Sequence, residues 1–495
     1  MSARAEVAIA ATVRKLSQRA YSLGAANGFD YAVQMLMPVV LVRCLESEAF
    51  GQFRLFWLIV GTVTAFANMA MPASLFYFLP RSDGAMQRLY INQTVIFLAV
   101  VGVLCGLSAE LLDSIVAAEP SKLGTGSDLL PMFLCLWIVA SLVDVLPMAD
   151  ERAHWQSKLI AGLATTRAVL LSAVAITTRD LGAVYAALLA FAWLKVGTQF
   201  VYIANYHGLR RPLLRHRAFV DQLQYAAPFG FAGALYMLRL QADQWIAATL
   251  FSVTSFASLS IAAAVAPVVH VFRSAVSAAF LPSLSRSHAG GDTKTAAELN
   301  ARANAIVGKF VYPALAFAFV FAGDLVTFVY TSTYIEAAVV MRIYLLGLAV
   351  LVVELATMAL ILSQGRFILG LNLLGLLASV SLSWFAAQRI GLPGAATGSV
   401  TVAVIDRIVT VLRISRLTGI SIARLQHWKL LATQLGLASA AATVAWLATT
   451  AALEADSAPL RLLLGGGLHA CCYAALYHTV MAGFFNGADR SGRNP

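Results

Sequence analysis

Residues 22–42 read Ser-Leu-Gly-Ala-Ala-Asn-Gly-Phe-Asp-Tyr-Ala-Val-Gln-Met-Leu-Met-Pro-Val-Val-Leu-Val, an apolar run with one formal charge, Asp30, near its middle. Crossing the hydrocarbon of a bilayer takes about 20 helical residues, so this run is long enough to span. Runs of similar length recur to the end of the chain, and several hold isolated ionisable residues: Arg239, Asp243, Arg273 and Glu354 are the clearest. A charge in hydrocarbon costs about 2.5–3.5 kcal/mol or more, so such residues face a bundle interior or a wet cavity and mark a transport path.

The whole composition agrees with that opening run. The chain has 495 residues, of which 60% are hydrophobic and 12% charged. A soluble domain keeps a charged exterior and cannot hide so much apolar surface. The fold class is therefore all-α, a polytopic membrane protein, because helices satisfy their own backbone hydrogen bonds in lipid. A transmembrane barrel needs short alternating segments, and here the apolar runs are continuous. Cys44, Cys105, Cys135, Cys471 and Cys472 have no framework spacing and read as small packing residues. The formal charge of +11 is scattered through membrane-flanking loops, which argues for membrane orientation and against a nucleic-acid partner. The N-terminus lacks the plan of a signal peptide. Arg4, Arg14, Lys15 and Arg19 mark it as a cytoplasmic lead-in helix.

About fourteen transmembrane helices follow, beginning near Ser22, Gly51, Tyr90, Asp128, Lys158, Leu181, Gln222, Phe256, Asn304, Ala338, Phe367, Leu392, His427 and Pro459. Basic residues test that count. With the N-terminus inside, the cytoplasmic connections hold Arg81, Arg88, Arg152, Lys158, Arg210, Arg211, Arg215, Arg217, Arg286, Lys294, Arg302, Arg366, Arg413, Arg416, Arg424 and Lys429, and the C-terminus adds Arg490 and Arg493. The opposite connections hold Arg43, Lys122, Arg179, Arg389 and Arg461, often beside acids such as Glu46, Glu48, Asp113 and Glu119. The asymmetry is about fourfold. Dropping one helix would invert the sign of every later loop, so an even count with both termini cytoplasmic is expected.

The chain also echoes itself. Ala-Phe-Gly-Gln-Phe at 49–53, running to Phe78-Leu79-Pro80-Arg81, matches Ser-Phe-Ala-Ser-Leu at 255–259, running to Phe280-Leu281-Pro282. Asp180-Leu181-Gly182-Ala183 matches Leu392-Pro393-Gly394-Ala395. The expected organisation is an N-terminal lobe at 1–215 with helices 1–6, a second lobe at 216–425 with helices 7–12, and an additional helix pair at 426–495. Parallel repeats of this kind recur in transporters, whose sites lie between the halves.

On the first helix Asn27, Asp30 and Gln34 fall on one face, either as a hydrogen-bonded seam or as a cavity wall on which Asp30 exchanges a proton or meets substrate. Helix seven repeats the spacing with Tyr236, Arg239 and Asp243, and Arg239 and Asp243 are four apart, as an intrahelical pair would be. Helix eight carries His270 and Arg273, and a guanidinium presents a fork suited to phosphate oxygens. Arg54, near the outer end of helix two, either lines the path or snorkels to the interface. A second set, Asp144, Arg167, Lys195, Glu354, Asp406 and Arg407, nearly balances in sign and reads as ion pairs within a lobe. Asp324 and Arg342 lie near outer helix ends. No P-loop, His-Glu-x-x-His, Cys-x-x-Cys or nucleophile–base set occurs, and the loops are short, so neither an enzyme nor a cofactor is expected. Asn92-Gln93-Thr94 matches a glycosylation sequon at the cytoplasmic end of helix three, where it carries no such meaning.

The stretch Leu41-Val-Arg-Cys-Leu-Glu-Ser-Glu-Ala-Phe-Gly-Gln-Phe53 resembles the junction between the first two helices of polysaccharide flippases. These form a family of the multidrug/oligosaccharidyl-lipid/polysaccharide exporter superfamily. The Phe-Leu-Pro end of helix two, the Leu-Gly-Ala start of helix six and the fourteen-span plan resemble it too. The resemblance implies two six-helix lobes with helices 1, 2, 7 and 8 on a central cleft. It also implies flipping of a polyprenyl-diphosphate-linked oligosaccharide across a bacterial inner membrane, for surface polysaccharide, lipopolysaccharide or exopolysaccharide assembly. On that placement Arg54, Tyr236, Arg239, His270 and Arg273 are expected to bind substrate, and Asp30 and Asp243 to couple ions. Expected partners are the lipid-linked oligosaccharide, membrane lipid and a polysaccharide polymerase. A cation-coupled multidrug exporter of the same superfamily and a peptidoglycan-precursor flippase are the alternatives. A membrane-embedded glycosyltransferase would need a large catalytic loop, which the chain lacks.

Overall fold

A computed structural model describes residues 3–108, 122–124, 126–208, 212–453 and 458–491, and every regular element among them is helical. Asp113, Glu119, Arg210, Arg211 and Arg493, counted above among the loop charges, lie outside the described residues, as do the side chains of Arg4, Arg14, Lys15, Arg19 and Arg490. Eleven of the described helices are long and apolar enough to cross a membrane. The seventh, eighth and tenth span regions are each two helices in succession: His216–Leu240 with Ala242–Leu250, Val253–Ala263 with Ala266–Ala289, and Ala337–Leu351 with Ala356–Ile361. The eleven candidate spans and these three interrupted regions make up the fourteen-span plan among the described residues. Each interruption frees N–H and C=O groups that, within a bilayer, must be met by other protein groups. Arg239, Asp243, His270, Arg273 and Glu354 all sit on these interrupted segments or in their breaks.

The chain divides into two compact units, residues 1–241 with 252–254 and residues 242–251 with 255–495. By compactness, helix His216–Leu240, which the sequence reading places at the start of the second lobe, groups with the first unit. Its buried Gln222 explains why. The side-chain amide donates to Ser74 Oγ at 2.7 Å and Thr94 Oγ1 at 3.0 Å, and accepts from Gln93 Nε2 at 2.6 Å.

In the first unit, helix Ala3–Cys44 lies along helix Ala153–Thr178. Helix Gly84–Leu107 meets helix Gly126–Ala140 through glycines. A Cβ on Gly102 would lie 3.0 Å from the Cys135 carbonyl oxygen and one on Gly106 2.8 Å from that of Pro131. Small residues let membrane helices approach closely in this way. Helix Ser47–Ala67 stops, the chain turns through Met69 and Ala70 at positive φ, and helix Met71–Phe78 resumes. Gly230 packs on that turn, where a Cβ would come within 2.3 Å of the Met69 carbonyl carbon.

In the second unit, Gly394 and Gly398 stand four apart on helix Leu392–Thr418 and bring it against helix Gly365–Ile390. A Cβ there would lie 2.2 Å from Ala386 O and 2.3 Å from Ser383 N. Helix Thr293–Val320 begins well before the expected start near Asn304. Asp292 caps it, accepting from the Thr295 amide at 2.9 Å, and the bonds from Thr295 hold the Asp292 carboxyl below its usual range. The extra turns carry Lys294, Glu298 and Arg302, so apolarity marks only the part of the helix suited to lipid.

Candidate functional site

The first unit holds a charged cavity built by five helical segments. From helix Ala3–Cys44, Asp30 Oδ1 accepts from Arg167 Nη2 at 2.7 Å, while Oδ2 accepts from Gln34 one turn on, also at 2.7 Å. From helix Leu181–Tyr206, Lys195 Nζ donates to Asp144 Oδ2 at 2.7 Å and lies 4.6 Å from the centre of the Trp137 ring. All six residues line one cavity of about 210 Å³. Asp30 and Gln34 do share a face, as their spacing implies, and Asn27 is exposed on the same helix. The sequence reading assigned Arg167 to a different set from Asp30; folding pairs them. Removing one partner of such a half-buried pair strands the other charge, and so both members are coupled in any function.

The second unit organises its charges around the helix interruptions. Helix His216–Leu240 ends at Gln241, so Arg239 and Asp243 do not occupy successive turns of one continuous helix, the arrangement their spacing implies. Asp243 stands in the first turn of Ala242–Leu250 and is buried. It accepts from Tyr344 Oη and Ser399 Oγ, each at 2.7 Å, and from the Gln244 amide at 2.8 Å. Arg273 reaches the free carbonyl at the end of helix Ala337–Leu351, with Nη1 donating to Leu351 O at 3.0 Å. Its Nη2 is 3.3 Å from His270 Nδ1, so these two neighbours on one helix face act together.

The break after Leu351 is stitched further by buried amides. Asn304 donates to the Glu354 carbonyl at 3.0 Å and accepts from the Glu354 amide at 3.1 Å. Gln426 accepts from Asn304 at 3.0 Å and donates to Asn300 at 3.1 Å. The Glu354 carboxylate turns onto the next helix, accepting from the Ala356 amide at 2.5 Å and Thr357 Oγ1 at 3.1 Å. Glu354, expected in an ion pair, instead caps the helix that resumes after the break.

The expected site residues thus divide between the units. Asp30, half-buried Arg54, exposed Tyr236 and half-buried Arg239 belong to the first; Asp243, His270 and Arg273 belong to the second. Reading charges alone missed the amides. Gln93, Gln222, Asn300, Asn304 and Gln426 are buried polar groups that join helices, and their signal was an uncharged amide inside or beside an apolar run. The Asn92-Gln93-Thr94 triplet belongs to this class: Asn92 donates to Pro212 O at 3.0 Å, and Gln93 and Thr94 hold Gln222.

The model of the polysaccharide biosynthesis protein family matches residues 40–339. No curated protein matches in sequence. Among solved structures, the fold is similar to that of the lipid II flippase MurJ in an inward closed conformation, with a TM-score of 0.71 at 12% identity over 93% of this chain and 99% of that one. It is also similar to an inward-facing multidrug resistance MATE family transporter of the MOP superfamily (TM-score 0.63, 13% identity, 79% of this chain and 96% of that one). A Vibrio cholerae MATE transporter gives a TM-score of 0.57 at 12% identity, over 84% of this chain and 99% of that one. Likeness at such identities concerns the fold.

Proposed function

The chain belongs to the polysaccharide biosynthesis protein family, and from that premise we propose that it is a secondary transporter that flips a polyprenyl-diphosphate-linked oligosaccharide by alternating access. It is a multi-pass membrane protein. The observation that carries the reading is the concentration of charged groups on interrupted helices and in the first-unit cavity, where a soluble-like need for surface charge does not apply. Interrupted helices with ionisable side chains at the breaks are how transporters present polar groups at mid-membrane.

In this reading Arg54, Tyr236, Arg239, His270 and Arg273 meet the diphosphate and the first sugars, and Asp30 and Asp243 couple the cycle to ions. The glycan passes through a wet path while the polyprenyl tail stays in lipid. The membrane is the bacterial inner membrane, with both termini in the cytoplasm, and a polysaccharide polymerase uses the product. The chain acts as a transporter rather than an enzyme, moving its substrate without changing a bond.

Deletion of the gene followed by complementation tests the reading. The wild-type chain restores surface polysaccharide, whereas Arg239→Ala and Arg273→Ala chains, inserted at normal levels, do not. Unchanged polysaccharide in the deletion strain, with altered sensitivity to toxic cations, would instead assign the chain to drug export. Arrested cell-wall synthesis would assign it to peptidoglycan-precursor flipping.

A further inference from the structure

Two cavities of the first unit share one wall. The charged cavity described above has the indole of Trp137 on its lining, and so does a second cavity of about 430 Å³ formed by helix Ser47–Ala67 with helix His216–Leu240. The second cavity is apolar. Trp57, Val60, Phe229 and Met237 line it, and Gly233, with open space where a Cβ would go, leaves it open. Trp137 is held in place by Phe133, stacked at 5.2 Å, and by Trp57 edge-on at 5.4 Å.

We propose that these paired cavities form a docking station for an isoprenoid diphosphate, with Arg167 and Lys195 receiving the diphosphate and the apolar cavity receiving the first isoprene units. The proposal rests on the transport reading above and adds residues which that reading does not use.

Three observations carry it. First, the cations lie deeper than their acids: the Arg167 and Lys195 side chains are 15% and 9% exposed, against 29% for Asp30 and 53% for Asp144. The acids are therefore the replaceable partners. Asp144 can turn outward, and Asp30 retains Gln34. Second, an arginine fork and a lysine point charge converging on one space match a diphosphate, which can meet both at once where two separate carboxylates now do so. Asp30, Asp144, Arg167 and Lys195 are the whole charged lining among the described residues. Third, the sizes divide the work. About 430 Å³ lies in the range of about 300–1,000 Å³ usual for ligand pockets, whereas 210 Å³ suits a compact head group and not a sugar chain.

Calorimetric titration of the purified full-length chain in detergent tests this, with farnesyl diphosphate, farnesol and inorganic pyrophosphate as probes. Farnesyl diphosphate should bind at least about tenfold more tightly than either half alone, the worth of one charge-assisted contact. Arg167→Gln and Lys195→Gln should each weaken it about tenfold, and Arg167→Lys should recover part of the loss. Asp144→Asn should tighten it, because the variant frees a buried ammonium. Trp137→Ala should weaken farnesyl diphosphate and spare pyrophosphate. The sign of the Asp144→Asn effect is decisive: ion pairs that only brace the bundle predict weaker or unchanged binding, and that result overturns the proposal. Farnesol binding as tightly as farnesyl diphosphate, or pyrophosphate binding untouched by Arg167→Gln, overturns it as well. Lost polysaccharide export with unchanged diphosphate affinity in the arginine and lysine variants removes this site and leaves the transport reading standing. The predicted binding in a chain whose deletion leaves polysaccharide intact does the reverse.

Discussion

Asp243 shows what one residue does when an apolar run is interrupted. Two hydroxyls, buried Tyr344 and half-buried Ser399, donate to its carboxylate, and no purely apolar substitution can replace that acceptor. Asp243→Ala therefore strands the Tyr344 hydroxyl at about 1–3 kcal/mol, while Ser399 keeps the Ala396 carbonyl at 3.0 Å, and it should lower the unfolding temperature in detergent more than Tyr344→Phe, which removes the donor cleanly at about 1 kcal/mol. Equal effects would mean that the Tyr344 hydroxyl finds another acceptor. Arg273 carries a second kind of demand, since it both faces the transport path in our reading and caps the Leu351 carbonyl. Arg273→Ala should thus lower stability as well as export. A residue that only touched substrate would lose export alone, and normal melting of this variant would count against the capping role. The sequence made Asp243 and Arg273 conspicuous as charges in apolar runs. It could not identify Tyr344, Ser399 or Leu351 as their partners, because those lie 78 to 156 residues away along the chain.

At the scale of elements, glycines decide which helices touch. Gly398 meets the Ser383 backbone, a contact that no rotamer change can relieve. Gly398→Leu should cost at least about 1–3 kcal/mol in chemical denaturation. Gly436, on helix Trp428–Ala452, has open space where a Cβ would go. Gly436→Ala should be neutral or stabilising by up to about 1 kcal/mol, because alanine loses less entropy in a helix. Comparable losses for both variants would show that the close approach at Gly398 is not what matters. Helix identity was legible from apolar runs, and most starts fall within a few residues of expectation. Helix Thr293–Val320 starts earlier than apolarity marks because its first turns are polar, and the breaks at Gln241 and after Leu351 leave no mark in the sequence. Neither break is marked by proline or by a charge run. The break after Leu351 is held by Arg273, Asn304 and Glu354, whose side chains meet its freed backbone groups.

For the molecule as a whole, loop charge sets the expected topology. Single cysteines introduced at Asp180 and Gly391 should react with a membrane-impermeant thiol reagent in intact cells, and one at Gly290 should react only after the membrane is opened. The reverse pattern at all three would overturn the cytoplasmic placement of the termini, and all three reacting from one side would overturn the helix count. Length, apolar runs and basic loops already determined the class, the number of spans and the expected orientation, since each of these depends on local composition meeting a bilayer of fixed thickness. The charges inside apolar runs were legible as candidates for the same reason: a charge in hydrocarbon is costly wherever it falls. Only tertiary structure decided how those charges are met. It paired Asp30 with Arg167, turned Glu354 into a cap, assigned helix His216–Leu240 to the first unit and gave a charged and an apolar cavity a shared lining residue, Trp137. Those outcomes depend on which distant groups reach a buried polar atom first, and in a low-dielectric interior that reach decides the energy.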